Sequence, residues 1–141
     1  MPFGMKKSDL EKVAEAKLAD AKLLLDNERY SNAYYLAGYA VEIALKAVIA
    51  NMMNAHTIPD RRFIEKVYSH RLNELIGLAG LKSELDNDHA ADAELKANWA
   101  IVANWTPEVR YAVIEKRTSQ VMILSITESK SGVFPWIKRH W

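Results

Sequence analysis

The chain has 141 residues, half of them hydrophobic and about a quarter charged, with a formal charge of +1. That composition fits one globular domain able to bury a core without staples, and it gives no global electrostatic case for nucleic acid. Cysteine is absent, which excludes disulfides, thiolate metal sites and cysteine nucleophiles, and suits a reducing cytoplasm.

The N-terminal stretch has no apolar run of signal-peptide type before its charged amphipathic segment. "SDLE", Ser8 to Glu11, matches a capping box and predicts a helix start. Leu10, Ala14, Leu18, Ala21, Leu24 and Leu25 then repeat at helical spacing, to an expected end near Asp26 and Asn27. A second helix is expected from Glu28 or Arg29 to about Met53. Tyr34, Ala37, Val41, Leu45 and Val48 make one apolar face, and Leu36, Tyr39, Ala40, Ile43, Ala47 and Ala50 make another. Two apolar faces predict a central helix with neighbours on more than one side. The short link predicts an antiparallel hairpin with the first helix. No apolar run reaches the roughly 18 residues needed to cross a membrane.

Ile58-Pro59-Asp60 is a turn signal, and "FIEKVY" suits a short helical piece. "HRLNELIGLAGL" predicts an amphipathic helix carrying Leu72, Leu75 and Ile76, with Gly80 as its stop. "SELDNDHAADAELKANWAIVANW" is polar first and apolar later, which predicts a helix from about Ala90 to Asn104. Thr106 as N-cap and Pro107 as first helical residue predict the last long helix, Glu108 to Glu128, with Val109, Ala112, Val113, Val121, Met122 and Leu124 inward. "VFPWIKRHW" suits one last turn that closes the bundle. The whole, 1–141, reads as a single all-α domain.

No two of His56, His70, His89 and His140 have the close spacing of a helical metal motif, so neither a metal nor a cofactor is expected. The glycine-rich phosphate loops and the serine nucleophile elbow are missing. Glu42 and Lys46 stand at i,i+4 in a nearly apolar helix. They suit either an ion pair at the edge of the core or a polar seam in a cleft or dimer interface. Gly38, in mid-helix, points to close approach of another element. "NWTPEVRY" gathers Trp105, Arg110 and Tyr111 at a helix junction. The arginine there is placed either to stack on an aromatic ring or to face a cleft and hold a phosphate or carboxylate.

Three segments carry a family resemblance: "NAYYLAGYAVEIALKAVIA" with its A-V-E-x-x-L-K pattern, "SHRLNELIGLAGL", and "NWTPEVRY" with W-x-x-x-x-R-Y. In this order they resemble the HEPN family. The resemblance implies an up-and-down bundle of four or five helices, a homodimer and, in many members, an RNase of toxin–antitoxin or defence systems. Those RNases use R-x(4–6)-H on a late helix. Here no histidine follows Arg110, and Lys116 stands about where it would fall; Arg62 precedes His70 by seven intervening residues, outside that spacing. The resemblance therefore implies a non-catalytic binding or interaction protein, partnered with a nucleotidyltransferase or a toxin–antitoxin component and binding a nucleotide or RNA phosphate. The candidate contact residues are Tyr35, Glu42, Lys46, His70, Trp105, Arg110 and Tyr111. The alternative is a divergent metal-independent RNase using Arg110 with another base. No membrane contact is expected.

Overall fold

The computed structural model describes residues 4–141. Among the described residues the chain is all-helical: α1 (Lys7–Asp26), α2 (Tyr30–Ala50), α3 (Arg61–Val67), α4 (Leu72–Leu78), α5 (Lys82–Ala91), α6 (Ala93–Val102), a 3-10 turn (Pro107–Tyr111), α7 (Lys116–Thr127) and α8 (Val133–Lys138). The helix α2 is the axis. One side packs antiparallel against α1, and its other contacts go to α4, the 3-10 turn, α7 and α8. Both apolar faces of α2 are thus covered within one chain. By length and composition alone α2 would pass as a membrane span, contrary to the expectation from its sequence. Yet 72% of its most apolar window is buried inside the bundle.

The α1 stripe is buried at Leu10, Ala14, Leu18 and Ala21. Its start differs from the expected capping box. The N-cap is Lys6, Ser8 lies inside the helix, and Glu11 pairs instead with Lys7 at 3.6 Å. The hairpin turn carries the described chain's positive-φ non-glycine residue, Glu28, at φ 62°. Glu28 N–H donates to the Leu25 carbonyl and Arg29 N–H to that of Leu24, a Schellman ending with glutamate where glycine is usual. A second such ending closes α4. There Gly80 takes φ 73°, and Gly80 and Leu81 donate to the carbonyls of Gly77 and Ile76.

Two expectations for the second half are corrected. The segment before Ala90 is a helix in its own right, α5, which buries only Leu85. A break at Asp92, extended at φ −137° and ψ 97°, separates it from α6. The Asp92 carboxylate accepts from the amides of Glu94 and Leu95 at 3.1 Å each and from Ser131 Oγ at 2.8 Å. It so caps α6 and ties it to the α7–α8 loop. These hydrogen bonds, led by that from Leu95, hold its carboxyl below the ordinary carboxylate range.

The expected long helix from Glu108 is instead a 3-10 turn, an extended stretch, and α7 from Lys116. Ala112 is extended at ψ 151°, and the Ile114 amide donates to Ser31 Oγ at 2.8 Å rather than into a helix ladder. The inward face shifts accordingly. Ser119, Met122, Ile123 and Ile126 are buried, while Val113 is 93% and Leu124 64% exposed. Ser119 Oγ donates to the Tyr30 carbonyl at 2.9 Å, which pins α7 to the start of α2. The C-terminal segment closes the bundle: Trp136 is buried, and Trp141 Nε1 donates to the Ala44 carbonyl of α2 at 3.1 Å.

Candidate functional site

The middle of α2 builds the site from within the core. Glu42 is 2% exposed, and each carboxylate oxygen has a partner. Oε2 accepts from Lys46 Nζ at 3.3 Å, and Oε1 lies 2.8 Å from His70 Nδ1. The i,i+4 spacing puts Lys46 on the same helix face as Glu42. His70 arrives from the α3–α4 connection. A buried carboxylate on Nδ1 fixes the ring's orientation and leaves Nε2 as its outward nitrogen. The His70 side chain is 58% exposed.

Above it lies a cleft of about 340 Å³, lined by Ser69, His70, Arg71, Thr106, Pro107, Glu108 and Arg110. Two segments remote in sequence make it: the connection into α4, and the 3-10 turn opened by Pro107. Arg110 is exposed, and its guanidinium lies 4.9 Å from the Tyr111 ring centroid. Hydrogen bonding to Tyr111, with a lesser contribution from Tyr35, pushes its pKa up from the ordinary value. Glu108 is held below the ordinary carboxylate range, first by hydrogen bonding to Thr106, then by its own backbone amide, with Arg110 and His70 adding. Two arginines against one glutamate leave the cleft net positive, which suits an anion.

Trp105, the neighbour in sequence of the cleft's Thr106, packs into the core. It is 1% exposed, and its ring lies 6.1 Å from Tyr35 and 6.3 Å from Tyr39. A Cβ on Gly38 would come within 2.1 Å of the indole. Gly38 is therefore the socket for Trp105, and through it the anchor of the 3-10 turn that presents Arg110. Trp105 Nε1 is buried without a partner among the described residues, so packing alone holds the ring. Burial also pushes the Tyr39 phenol up, with Glu42 and Tyr35 adding.

The seven sequence candidates fall into two connected layers. Glu42, Lys46, Tyr35 and Trp105 lie in or against the core, while His70 and Arg110 line the cleft and Tyr111 lies beside Arg110. Glu42 and Lys46 are buried within the one chain, and the acid's second partner is His70. Sequence reasoning passed over Arg71, Thr106 and Glu108. Each sits beside a chosen residue, and only the fold brings the two segments together. Among the described residues no cluster of three or more His, Cys, Asp or Glu side chains is gathered for a metal.

Residues 8–100, about two-thirds of the chain, match one protein-family model, described as HEPN domain. The matched span includes Tyr35, Glu42, Lys46 and His70 and ends before Trp105, Arg110 and Tyr111. Neither the curated proteins nor the solved structures contain a match to this chain.

Proposed function

The chain belongs to the HEPN domain family, and on that premise we propose that it is a non-catalytic binding module whose Arg110 cleft takes a phosphate group of a nucleotide or RNA. The observation that carries the reading is the convergence of His70, Arg71 and Arg110 on one cleft from segments about 40 residues apart. A planar guanidinium pairs with phosphate oxygens through two N–H donors, and Tyr111 beside it offers a ring on which a base can stack. The test is fluorescence anisotropy with a labelled single-stranded RNA, competed by adenosine monophosphate. Arg110→Ala is expected to weaken binding by about tenfold or more, the loss of one charge-assisted contact pair. Unchanged affinity in that variant refutes the reading.

A second reading, RNA cleavage without a metal, is favoured by the 2.8 Å contact between buried Glu42 and His70. The imidazole missing after Arg110 is supplied here from another segment. His70 Nε2 would take the proton of a ribose 2′-hydroxyl, whose oxygen attacks phosphorus. The 5′-oxygen would leave with a proton from solvent, giving a 2′,3′-cyclic phosphate, while Arg110 holds the phosphoryl oxygens. Cleavage by clean protein that is lost in His70→Asn supports this reading over the first. Intact RNA after prolonged incubation removes it.

The module is assigned to a cytoplasmic homodimer that works with a nucleotidyltransferase or a toxin–antitoxin partner. Tyr111 and Val113, 78% and 93% exposed, supply apolar surface for such contacts. Light scattering that gives a monomer mass at micromolar concentration removes the homodimer.

A further inference from the structure

Lys46 has a surplus of hydrogen-bonding capacity that Glu42 does not absorb. Its side chain is only 9% exposed, far less than a lysine at the surface. An ammonium carries three donors. Among the described residues its hydrogen bond is to Glu42 Oε2, at a long 3.3 Å. Glu42 divides its charge between this contact and His70. An ammonium with one long contact has donors left to take a second anionic partner.

Space for that partner adjoins it. Lys46 lines two neighbouring cavities that share no lining residue with the Arg110 cleft. One, of about 260 Å³, is walled by Leu10, Ile49 and Val67. The other, of about 310 Å³, is walled by Leu10, Val13 and Ile43, with Lys6 and Lys17 at its edge. Lys17 is drawn over the Tyr39 ring, 5.3 Å from its centroid. Asp9 and Glu42 oppose Lys6, Lys17 and Lys46 in this lining, and three cations against two carboxylates keep the balance positive.

We infer that Lys46 heads a second ligand site, which takes a small apolar molecule bearing one carboxylate. The carboxylate completes the Lys46 ammonium, and the hydrocarbon body displaces water from the aliphatic walls. The site is separate from the phosphate cleft. The two share only the Glu42 carboxylate between their polar groups, so loss of phosphate binding at Arg110 does not bear on it.

Octanoate tests the inference, with octan-1-ol as the uncharged control of the same length. Methyl resonances of Ile43, Ile49 and Val67 in wild-type protein are expected to shift saturably with octanoate. Octan-1-ol is expected to bind about tenfold or more weakly. Lys46→Met, which keeps the volume and removes the charge, is expected to lose the preference for the carboxylate. Glu42→Gln, which leaves Lys46 without its internal partner, is expected to bind octanoate several-fold more tightly. Equal binding of acid and alcohol to wild-type protein overturns the inference, as do shifts confined to other regions or no shift at about 10 mM octanoate. If Lys46→Met fails to fold, the wild-type comparison of acid with alcohol still decides.

Discussion

Replacing Gly38 by alanine sets helix propensity directly against packing. Propensity favours alanine in a helix interior by about 1 kcal/mol. Packing opposes it, because the new Cβ would lie 2.1 Å from Trp105 Cδ1 and 2.3 Å from Cγ and Nε1. The indole is 1% exposed and lies between Tyr35 and Tyr39, so it has no solvent to swing into. Overpacking of a filled core costs about 1–3 kcal/mol, and a displaced, fully buried aromatic belongs at the upper end of that range. The net expectation is a loss of about 2 kcal/mol once the propensity gain is subtracted. For a chain of this length that lowers Tm by roughly 8 °C, at about 4 °C per kcal/mol. Thermal and urea melts of Gly38→Ala check the value. In a Trp105→Leu background the space is free, and the same alanine should be neutral or stabilising. A Gly38→Ala protein that melts higher than the wild type refutes the socket argument.

Glu28→Gly should stabilise the chain by about 1 kcal/mol, because glycine relieves the left-handed strain at φ 62° more than it adds to unfolded-state freedom; urea midpoints measure it. Asp92→Ala should destabilise the chain through the lost α6 cap. The same cap gives a pH signature: its carboxyl is depressed in the folded state. Its contribution is therefore complete above about pH 4 and is lost as acid passes through the lowered folded value. Urea midpoints for wild type and Asp92→Ala should converge as the pH falls; a gap that stays constant to acid pH contradicts the assignment. Burial lowers the pKa of His89, whose Nε2 has no partner among the described residues. The unfolded chain therefore takes up this proton first, and stability should fall as pH drops below about 6.5. His89→Gln should flatten that part of the curve.

The α1–α2 hairpin was legible because its residues obey one period over five or six turns. Leu10, Ala14, Leu18 and Ala21 all point inward, and so do both faces of α2. The helix α5 was not legible because it buries only Leu85 and shows no apolar stripe to read. The Thr106-Pro107 start signal was real but ambiguous. Proline's fixed φ suits a 3-10 turn as well as an α-helix, and the bond from Ile114 N–H to Ser31, 83 residues away, is tertiary information. At the site, Glu42 and Lys46 stood out as charges in an apolar helix, and Arg110 as a cation between aromatics. The Glu42–His70 contact spans 28 residues. No local pattern encodes that pairing or the meeting of His70 with Arg110. Gly38 signalled a close neighbour, and only the fold showed that neighbour to be Trp105.

The most direct test of the phosphate cleft is the His70 ring signal during titration with adenosine monophosphate, in wild type and in Arg110→Ala. The account predicts saturable movement of the His70 and Tyr111 ring resonances in the wild type, and in the variant the same movement only at about tenfold higher ligand concentration or more. Rings that stay still, or that move equally without Arg110, would contradict it.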